Sequence, residues 1–488
     1  MCENLRALTI PDTAIASAVP VPAGPFSPGV PQRAGAPVFP AFCRVTAVAR
    51  PVADSEIRLE VWLPAAETWN GKLLGTGNGG YAGALSYSEM ETALRQGYAV
   101  AGSDTGHSGG DLKFGMGHPE KIADWAFRAV HVMTDTAKVI VRSYYGRFAA
   151  HSYLSGCSTG GQQALTEAQR FPEDYDGIVA GAPGANRVRL NVGFLWSWLA
   201  VHKDGAEVLP ASKLPLINQA AVSACDALDG VKDGLIGDPR ACKFDPGALL
   251  CKGADAADCL TAAQVSAVRA VYDGARNPRT GEQLYPGWVR GSEAGGGARP
   301  GGWSGYFVGQ PEPARLDFWR FWVFHDPNWD FHTFDFDRDV AYADSKLSFL
   351  TANDPDLTRF KQRGGRLLMY QGWADPVVPA TDTIRYYESV ERAMGGTEKT
   401  TGFVRLFLAP GMGHCSGGPG PSSFDALGAL DRWVSQGFAP DRVIASHSTA
   451  GTVDRTRPLC PYPQVAKWDR SGSIDNAASF RCATVEQR

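Results

Sequence analysis

The stretch "SGCSTGGQQALTEAQRFPEDYDGIVAGAPG", residues 155–184, decides how this chain is read. A short strand-like run, "HSYLSG", leads into it, and residues 156–160 fit Gly-x-Ser-x-Gly. The segment "GGQQALTEAQRFP" that follows has helical character and stops at Pro172. A strand, a tight turn carrying serine and a helix make the nucleophile-elbow arrangement. The turn is strained and needs small neighbours, which Gly156 and Gly160 supply. A glycine-rich turn with a capping serine would also produce this motif, so Ser158 as nucleophile rests on the flanking strand and helix.

The same alternation extends to both sides. "SEIRLEVWLP" (55–64), "KLLGTGNGGYAG" (72–83), "GYAVAGSDTGH" (97–107) and "GIVAGAPG" (177–184) read as strands, three of them running into glycine turns. Residues 124–146 carry helical periodicity. The pattern resumes with strand and loop in "GGRLLMYQGWADPVVP" (364–379), a helix near 380–395, strand and loop in "FVRLFLAPGMGHC" (403–415), and a helix at 423–437. This predicts an α/β fold with a mostly parallel, doubly wound sheet. Between 186 and 345 the alternation breaks down, and this stretch reads as a large inserted lid domain. The catalytic domain is then split into residues 1–185, with the nucleophile, and 346–488, with acid and base. The Pro- and Ala-rich residues 1–50 read as a loose lead-in.

At 488 residues, 44% hydrophobic, 20% charged and net charge −4, the composition is that of a globular protein. No basic cluster points to nucleic acid, and no apolar run is long enough to span a membrane. The ten cysteines include no Cys-x-x-Cys pair, which speaks against zinc and thioredoxin-like chemistry. Several have close sequence neighbours (225 with 242, 251 with 259, 460 with 482), as in a disulfide set. That implies an oxidising compartment. "MCENLRALTI" lacks an apolar signal core, so the expectation is a secreted or periplasmic protein whose signal has been cut away.

A nucleophilic serine needs a base, and the base an orienting carboxylate. In α/β-hydrolases the order is Ser, acid, His. Among the histidines after Ser158, only His414 sits in a glycine-rich loop directly after a clear strand. Asp375 follows the strand "RLLMYQG" in the loop "WADP". The candidate triad is therefore Ser158, Asp375 and His414. Cys157 precedes the serine and Cys415 follows the histidine. If Ser158 and His414 hydrogen-bond, the two cysteines are close enough to join, clamping one loop to the other. In the chain-entropy model so long a loop gains at most about 5 kcal/mol. An oxyanion hole takes one backbone N–H from the residue after the serine, Thr159, and one from an early glycine loop, where "GTGNGG" (75–80) offers Gly80.

"CDALDGVKDGLIGDPRAC" (225–242) gathers Asp226, Asp229 and Asp233 in a glycine-punctuated loop without the spacing of an EF-hand. With the carbonyls of Val231 and Leu235 these carboxylates would suit Ca²⁺ in a structural role; a solvated acidic turn is the alternative, and a Cys225–Cys242 bridge stapling the loop closed would favour calcium. In "FWRFWVFHDPNWDFHTFDF" (318–336), Phe318, Trp319, Phe321 and Trp322 fall at helical spacing. Most of these rings are expected in the lid's own core, with one or two, Phe318 and Trp319 being the candidates, lining an aromatic pocket.

"WNGKLLGTGNGG", "GCSTGG", "FPEDYDGIVAGAPG", "CDALDGVKDG", "LFLAPGMGHCSGGPG" and "RTRPLCPYP" together resemble the tannase/feruloyl esterase family of α/β-hydrolases, over nearly the whole chain. That family also contains bacterial mono(2-hydroxyethyl) terephthalate hydrolases. The resemblance implies the triad, the Cys157–Cys415 bridge and the oxyanion donors Gly80 and Thr159. It implies Ca²⁺ on Asp226, Asp229, Val231, Asp233 and Leu235, and the further bridges Cys2–Cys43, Cys225–Cys242, Cys251–Cys259 and Cys460–Cys482. Terephthalate hydrolases of the family bind a substrate carboxylate with a lid arginine, and Arg315 lies in the corresponding region. The expected function is a secreted serine esterase acting on small-molecule aromatic esters, hydroxycinnamate or gallate in type, as a monomer or weak homodimer. The alternatives are hydrolysis of terephthalate monoesters, or a catalytically silent module that binds phenolics or polysaccharide.

Overall fold

A computed structural model describes residues 1–26, 38–295 and 301–484. The chain forms two compact units. The first comprises Met1–Ala180, Asp356–Leu367 and Val434–Gly437; the second comprises Gly181–Pro355, Leu368–Trp433 and Phe438–Arg488. Residues 186–345 thus fall in the same unit as the segments around Asp375 and His414.

In the first unit, strands β1 (Thr13–Val21), β2 (Phe42–Ala49), β3 (Ile57–Pro64), β4 (Lys72–Thr76), β5 (Ala99–Ser103) and β6 (His151–Cys157) lie in the spatial order β1-β2-β3-β5-β4-β6. The pairs β1–β2, β2–β3 and β3–β5 are antiparallel. Parallel pairing begins where β4 joins β5 and β6, with Leu74 opposite Val100 and Tyr153. Strand β5 is buried throughout and reads as a near-continuous apolar run, whereas β3 alternates at its start, with Arg58 exposed between buried Ile57 and Leu59. Helices α1 (Tyr87–Arg95), α2 (Ala129–Tyr145) and α3 (Thr159–Arg170) follow β4, β5 and β6 in the chain. Helix α2 ends on Gly146 in the left-handed conformation, a C-cap that glycine adopts without steric cost. The architecture is an α/β-hydrolase fold with a large, mostly parallel sheet and helices.

Of the lead-in expected over residues 1–50, the described residues 1–26 and 38–50 are structured, and residues 27–37 lie outside the described residues. Thr13–Val21 and Phe42–Ala49 are sheet strands, and Cys2 is disulfide-bonded to Cys43. The "FCRVTAVA" run alternates buried and half-buried residues, and Pro20 is tolerated in β1, which stands first in the sheet order. Proline and alanine content obscured that period.

In the second unit, β7 (Gly177–Gly181, which begins in the first), β8 (Arg366–Gly372, likewise shared) and β9 (Val404–Ala409) supply the late strands. Beyond β7, Ala182 N–H donates to Tyr370 O at 2.8 Å, and beyond β8, Trp373 N–H donates to Ala409 O at 3.0 Å. The described part of the stretch 186–345 includes helices α4 (Arg187–Val201), α5 (Leu214–Cys225) and α6 (Ala262–Asp273), a further helix starting at Arg338, a short hairpin at 202–207 and several short 3₁₀ turns. Disulfides join Cys225 to Cys242, Cys251 to Cys259 and Cys460 to Cys482. Cys157 and Cys415 are also disulfide-bonded, and among the described residues no cysteine is free. No described helix is long and apolar enough to cross a membrane.

Candidate active site

Ser158 sits between β6 and α3 with φ 64° and ψ −117°, a conformation costly for any residue with a side chain. Such strain persists only where the surroundings enforce it, and three glycines do so here. A Cβ on Gly156 would lie 2.6 Å from the Gly160 carbonyl carbon, and one on Gly77 would lie 2.5 Å from Gly160 Cα. The strand end, the helix start and the glycine loop therefore touch backbone to backbone.

That contact carries the loop 77–84 onto the elbow. Thr159 Oγ1 donates to Gly80 O at 2.8 Å, joining the two residues expected to supply oxyanion donors. Gly80 has φ 57°, a left-handed turn. Further bonds fix the loop. Asn78 N–H donates to Gln163 Oε1 at 3.0 Å, Asn78 Nδ2 donates to Ala84 O and Ser103 O, and Ser86 Oγ donates to Gly77 O. His107 Nε2 donates to Tyr81 O at 2.9 Å and its ring stacks on Phe114. Burial lowers the His107 pKa, which favours the neutral ring. Asn78, Gln163 and His107 escaped sequence reading. All three lie in stretches whose strand, loop or helix character is legible, but nothing local marks their long-range hydrogen-bond partners.

In the second unit, Asp375 is fully buried and its carboxylate is saturated with donors. Val377 N–H and Val378 N–H bond Oδ1 at 2.7 and 3.0 Å, while Gln371 Nε2 and His414 Nδ1 bond Oδ2, each at 2.8 Å. A carboxylate only accepts, so His414 carries its proton on Nδ1 and presents Nε2 as a base. Thr383 Oγ1 donates to Gln371 Oε1 and fixes that amide. Ala374 N–H donates to Met412 O at 2.9 Å, tying acid loop to base loop. Trp288, from the stretch 186–345, donates its indole N–H to Pro376 O at 2.7 Å. Cys415, like Ser158, has φ 64°.

The other predicted residues also lie in this unit. The Arg315 guanidinium stands over the Phe194 ring at 5.0 Å, and Phe194 stacks on Tyr306. Burial raises the Tyr306 hydroxyl's pKa, with Arg315 drawing it down and Asp375 pushing it up, so both charges reach that ring. Phe318 and Trp319 are 0% and 1% exposed. They pack on each other in a π-helical turn, with Trp319 also against Phe334, so the two rings expected to line a pocket are buried among other aromatic side chains.

Around the acidic loop, Asp226 accepts from the N–H groups of Asp233 and Gly234, Asp229 from Val231 N–H, and Asp233 from Leu235 N–H. Arg457 Nη2 reaches Asp233 Oδ2 at 2.6 Å. Burial, with the charges of Asp233 and Asp226 adding to it, raises the Asp229 pKa to about 6. Backbone N–H groups and Arg457 offset part of this charge, and the three carboxylates form the all-oxygen kind of donor set that a hard cation such as Ca²⁺ takes.

A family model described as tannase and feruloyl esterase matches residues 43–483. An uncharacterized esterase of Xanthomonas campestris pv. campestris is 41% identical, the alignment covering 99% of this chain and 91% of that protein. A mono(2-hydroxyethyl) terephthalate hydrolase of Piscinibacter sakaiensis is 35% identical, covering 93% of this chain and 86% of its own length. The crystal structure of feruloyl esterase B from Aspergillus oryzae superposes with a TM-score of 0.92 at 31% identity, covering 99% of each chain.

Proposed function

The chain belongs to the tannase and feruloyl esterase family and is a carboxylic ester hydrolase; from that premise we propose that it is a secreted or periplasmic serine esterase that cleaves small aromatic esters, of hydroxycinnamate or gallate type, through an acyl-enzyme. The observation that carries the mechanism is the buried Asp375 holding His414 by Nδ1. Ser158 Oγ attacks the ester carbonyl as His414 Nε2 takes its proton. The N–H groups of Gly80 and Thr159 receive the developing oxyanion. Collapse breaks the ester C–O bond, and the proton on His414 passes to the departing alcohol. Water, deprotonated by the same histidine, then releases the acid and regenerates the serine.

Cys157 and Cys415 are the two cysteines left once the four other bridges are assigned, which supports a bond between them that holds nucleophile and base loops in register. Ca²⁺ on Asp226, Asp229, Asp233 and the carbonyls of Val231 and Leu235 would neutralise the acidic loop and stabilise the fold. The five disulfides this gives support an oxidising compartment. In solution the enzyme is a monomer or weak homodimer.

A second reading, hydrolysis of terephthalate monoesters, draws on Arg315, whose charge reaches Tyr306 in common with that of Asp375 and would suit a substrate carboxylate. Measuring kcat/KM for methyl ferulate, methyl gallate, a terephthalate monoester and long-chain aliphatic p-nitrophenyl esters decides between them. The phenolic esters should lead. A wide lead for the aliphatic esters would refute the aromatic preference, and a lead for the terephthalate monoester that Arg315→Ala removes would establish the second reading.

A further inference from the structure

Helix α3, which begins directly after Ser158, carries a buried acid that the mechanism does not use. Glu167 is 1% exposed, and among the described residues neither of its carboxylate oxygens has a hydrogen-bonding donor. One oxygen of Glu167, one of Asp174 and a ring nitrogen of His131 lie within 4.8 Å of one another. Asp174 is also buried. His131 Nδ1 donates to its Oδ2 at 2.6 Å, and Lys138 Nζ stands 3.6 Å from its Oδ1. His131 and Lys138 both belong to helix α2. Two carboxylates this close and this poorly hydrated cannot both be ionised. The donors gather on Asp174, so the shared proton belongs on Glu167.

We propose that Glu167 is a neutral carboxylic acid whose O–H donates to Asp174, completing a hydrogen-bonded chain Glu167–Asp174–His131 that anchors the nucleophile helix α3 to helix α2 for as long as that proton is held. Glu167 is then a positioning residue, acting through the helix about 13 Å from Ser158. The surrounding charges agree. Burial first, then the charge and hydrogen bond of Asp174, hold the Glu167 carboxyl well above its usual range; Asp135 adds to this and Lys138 opposes it. Burial lowers the His131 pKa, but the hydrogen bond and charge of Asp174 outweigh it and the net direction is upward. Tyr175, adjoining Asp174, is buried, and burial pushes its hydroxyl up, which keeps it neutral. A histidine with two carboxylates is also a donor set for a divalent transition metal. The 2.6 Å His131–Asp174 contact and the ammonium of Lys138 beside the same carboxylate favour the proton.

Glu167→Gln retains the shape and a donor N–H, whereas Glu167→Ala removes the link. Infrared spectra at neutral pH should contain a carboxylic C=O stretch in the wild type that Glu167→Gln lacks. Because the folded state holds the proton more tightly than the unfolded chain, wild-type stability should fall as pH rises through the Glu167 transition, and Glu167→Gln should flatten that fall. Turnover of methyl ferulate by Glu167→Gln should stay within about twofold of wild type, while Glu167→Ala should lower kcat, by up to about 100-fold, more than it changes KM. Only this kinetic readout rests on the serine-esterase reading; the infrared and stability results stand if Ser158 proves not to be the nucleophile. A C=O band unchanged by Glu167→Gln, or Glu167→Gln as damaging as Glu167→Ala, would overturn the proposal. So would stoichiometric zinc or manganese in the purified protein that Glu167→Gln loses.

Discussion

His414 Nδ1 donates to Asp375 Oδ2 at 2.8 Å, and the carboxylate that receives it is completely buried. Three further donors hold that carboxylate in place, so the imidazole has one tautomer and one direction in which to face. Asp375→Asn keeps an acceptor for the Val377 and Val378 N–H groups but presents an amide to the histidine. The expected outcome is a fall in kcat of about 10⁴-fold with a nearly unchanged circular dichroism spectrum. Steady-state kinetics on methyl ferulate check it, and activity near the wild-type level would remove Asp375 from the triad.

Replacing both Cys157 and Cys415 by serine should lower kcat strongly, because serine and histidine loops lose their covalent registration. Peptide mapping without reduction should recover the two cysteines as one linked peptide pair. Linkage of either to a different cysteine would refute the clamp.

The contact between Gly77 and Gly160 leaves no room for a methyl group, since the nearest atom to an added Cβ, at 2.5 Å, belongs to backbone. Gly77→Ala should push the 77–84 loop off the elbow. We expect a loss of about 1–3 kcal/mol in stability, from denaturant titration, and a drop in kcat of about 100-fold as Gly80 leaves its place. A fully active Gly77→Ala enzyme would mean that this loop does not supply an oxyanion donor.

Chelation should lower the melting temperature, because Ca²⁺ would bind the folded acidic loop and not the unfolded chain. At calcium 100-fold above its dissociation constant the stabilisation is about 2.7 kcal/mol. Asp229→Ala should abolish the sensitivity to chelator. Protein purified in calcium-containing buffer that proves free of calcium by elemental analysis would eliminate the site.

Asp104 accepts from Arg58 N–H and Gly106 N–H, each at 2.9 Å, yet burial raises its pKa from 3.8 to about 6. The folded state therefore binds this proton more tightly than the unfolded chain, and stability is lost as pH rises from about 4 to about 6. The shift corresponds to at most about 3 kcal/mol. Asp104→Asn, neutral at every pH and still an acceptor, should unfold at a higher temperature than wild type near neutrality and show a flatter profile across that interval. Thermal melts of the two proteins in a common buffer series test this, and parallel profiles would exclude Asp104 as the titrating group.

The sequence by itself determined the succession of strands and helices around Ser158, and it singled out Ser158, Asp375 and His414 as candidates. Both follow from local constraints. A strand buried on both faces must be apolar throughout, and an elbow this tight needs glycine at 156 and 160, so each leaves a mark within a few neighbouring residues. It was misled over residues 13–21 and 42–49, where proline and alanine hid a strand period, and it found no pattern in the C-terminal hairpins Val443–Leu459 and Gln464–Thr484. Only the tertiary structure decided what holds each candidate. Gln163 grips Asn78 across 85 residues, and His131 meets Asp174 across 43. Such partners are chosen by where the chain returns in space, and a hydrogen bond between distant residues requires nothing of the sequence on either side of them.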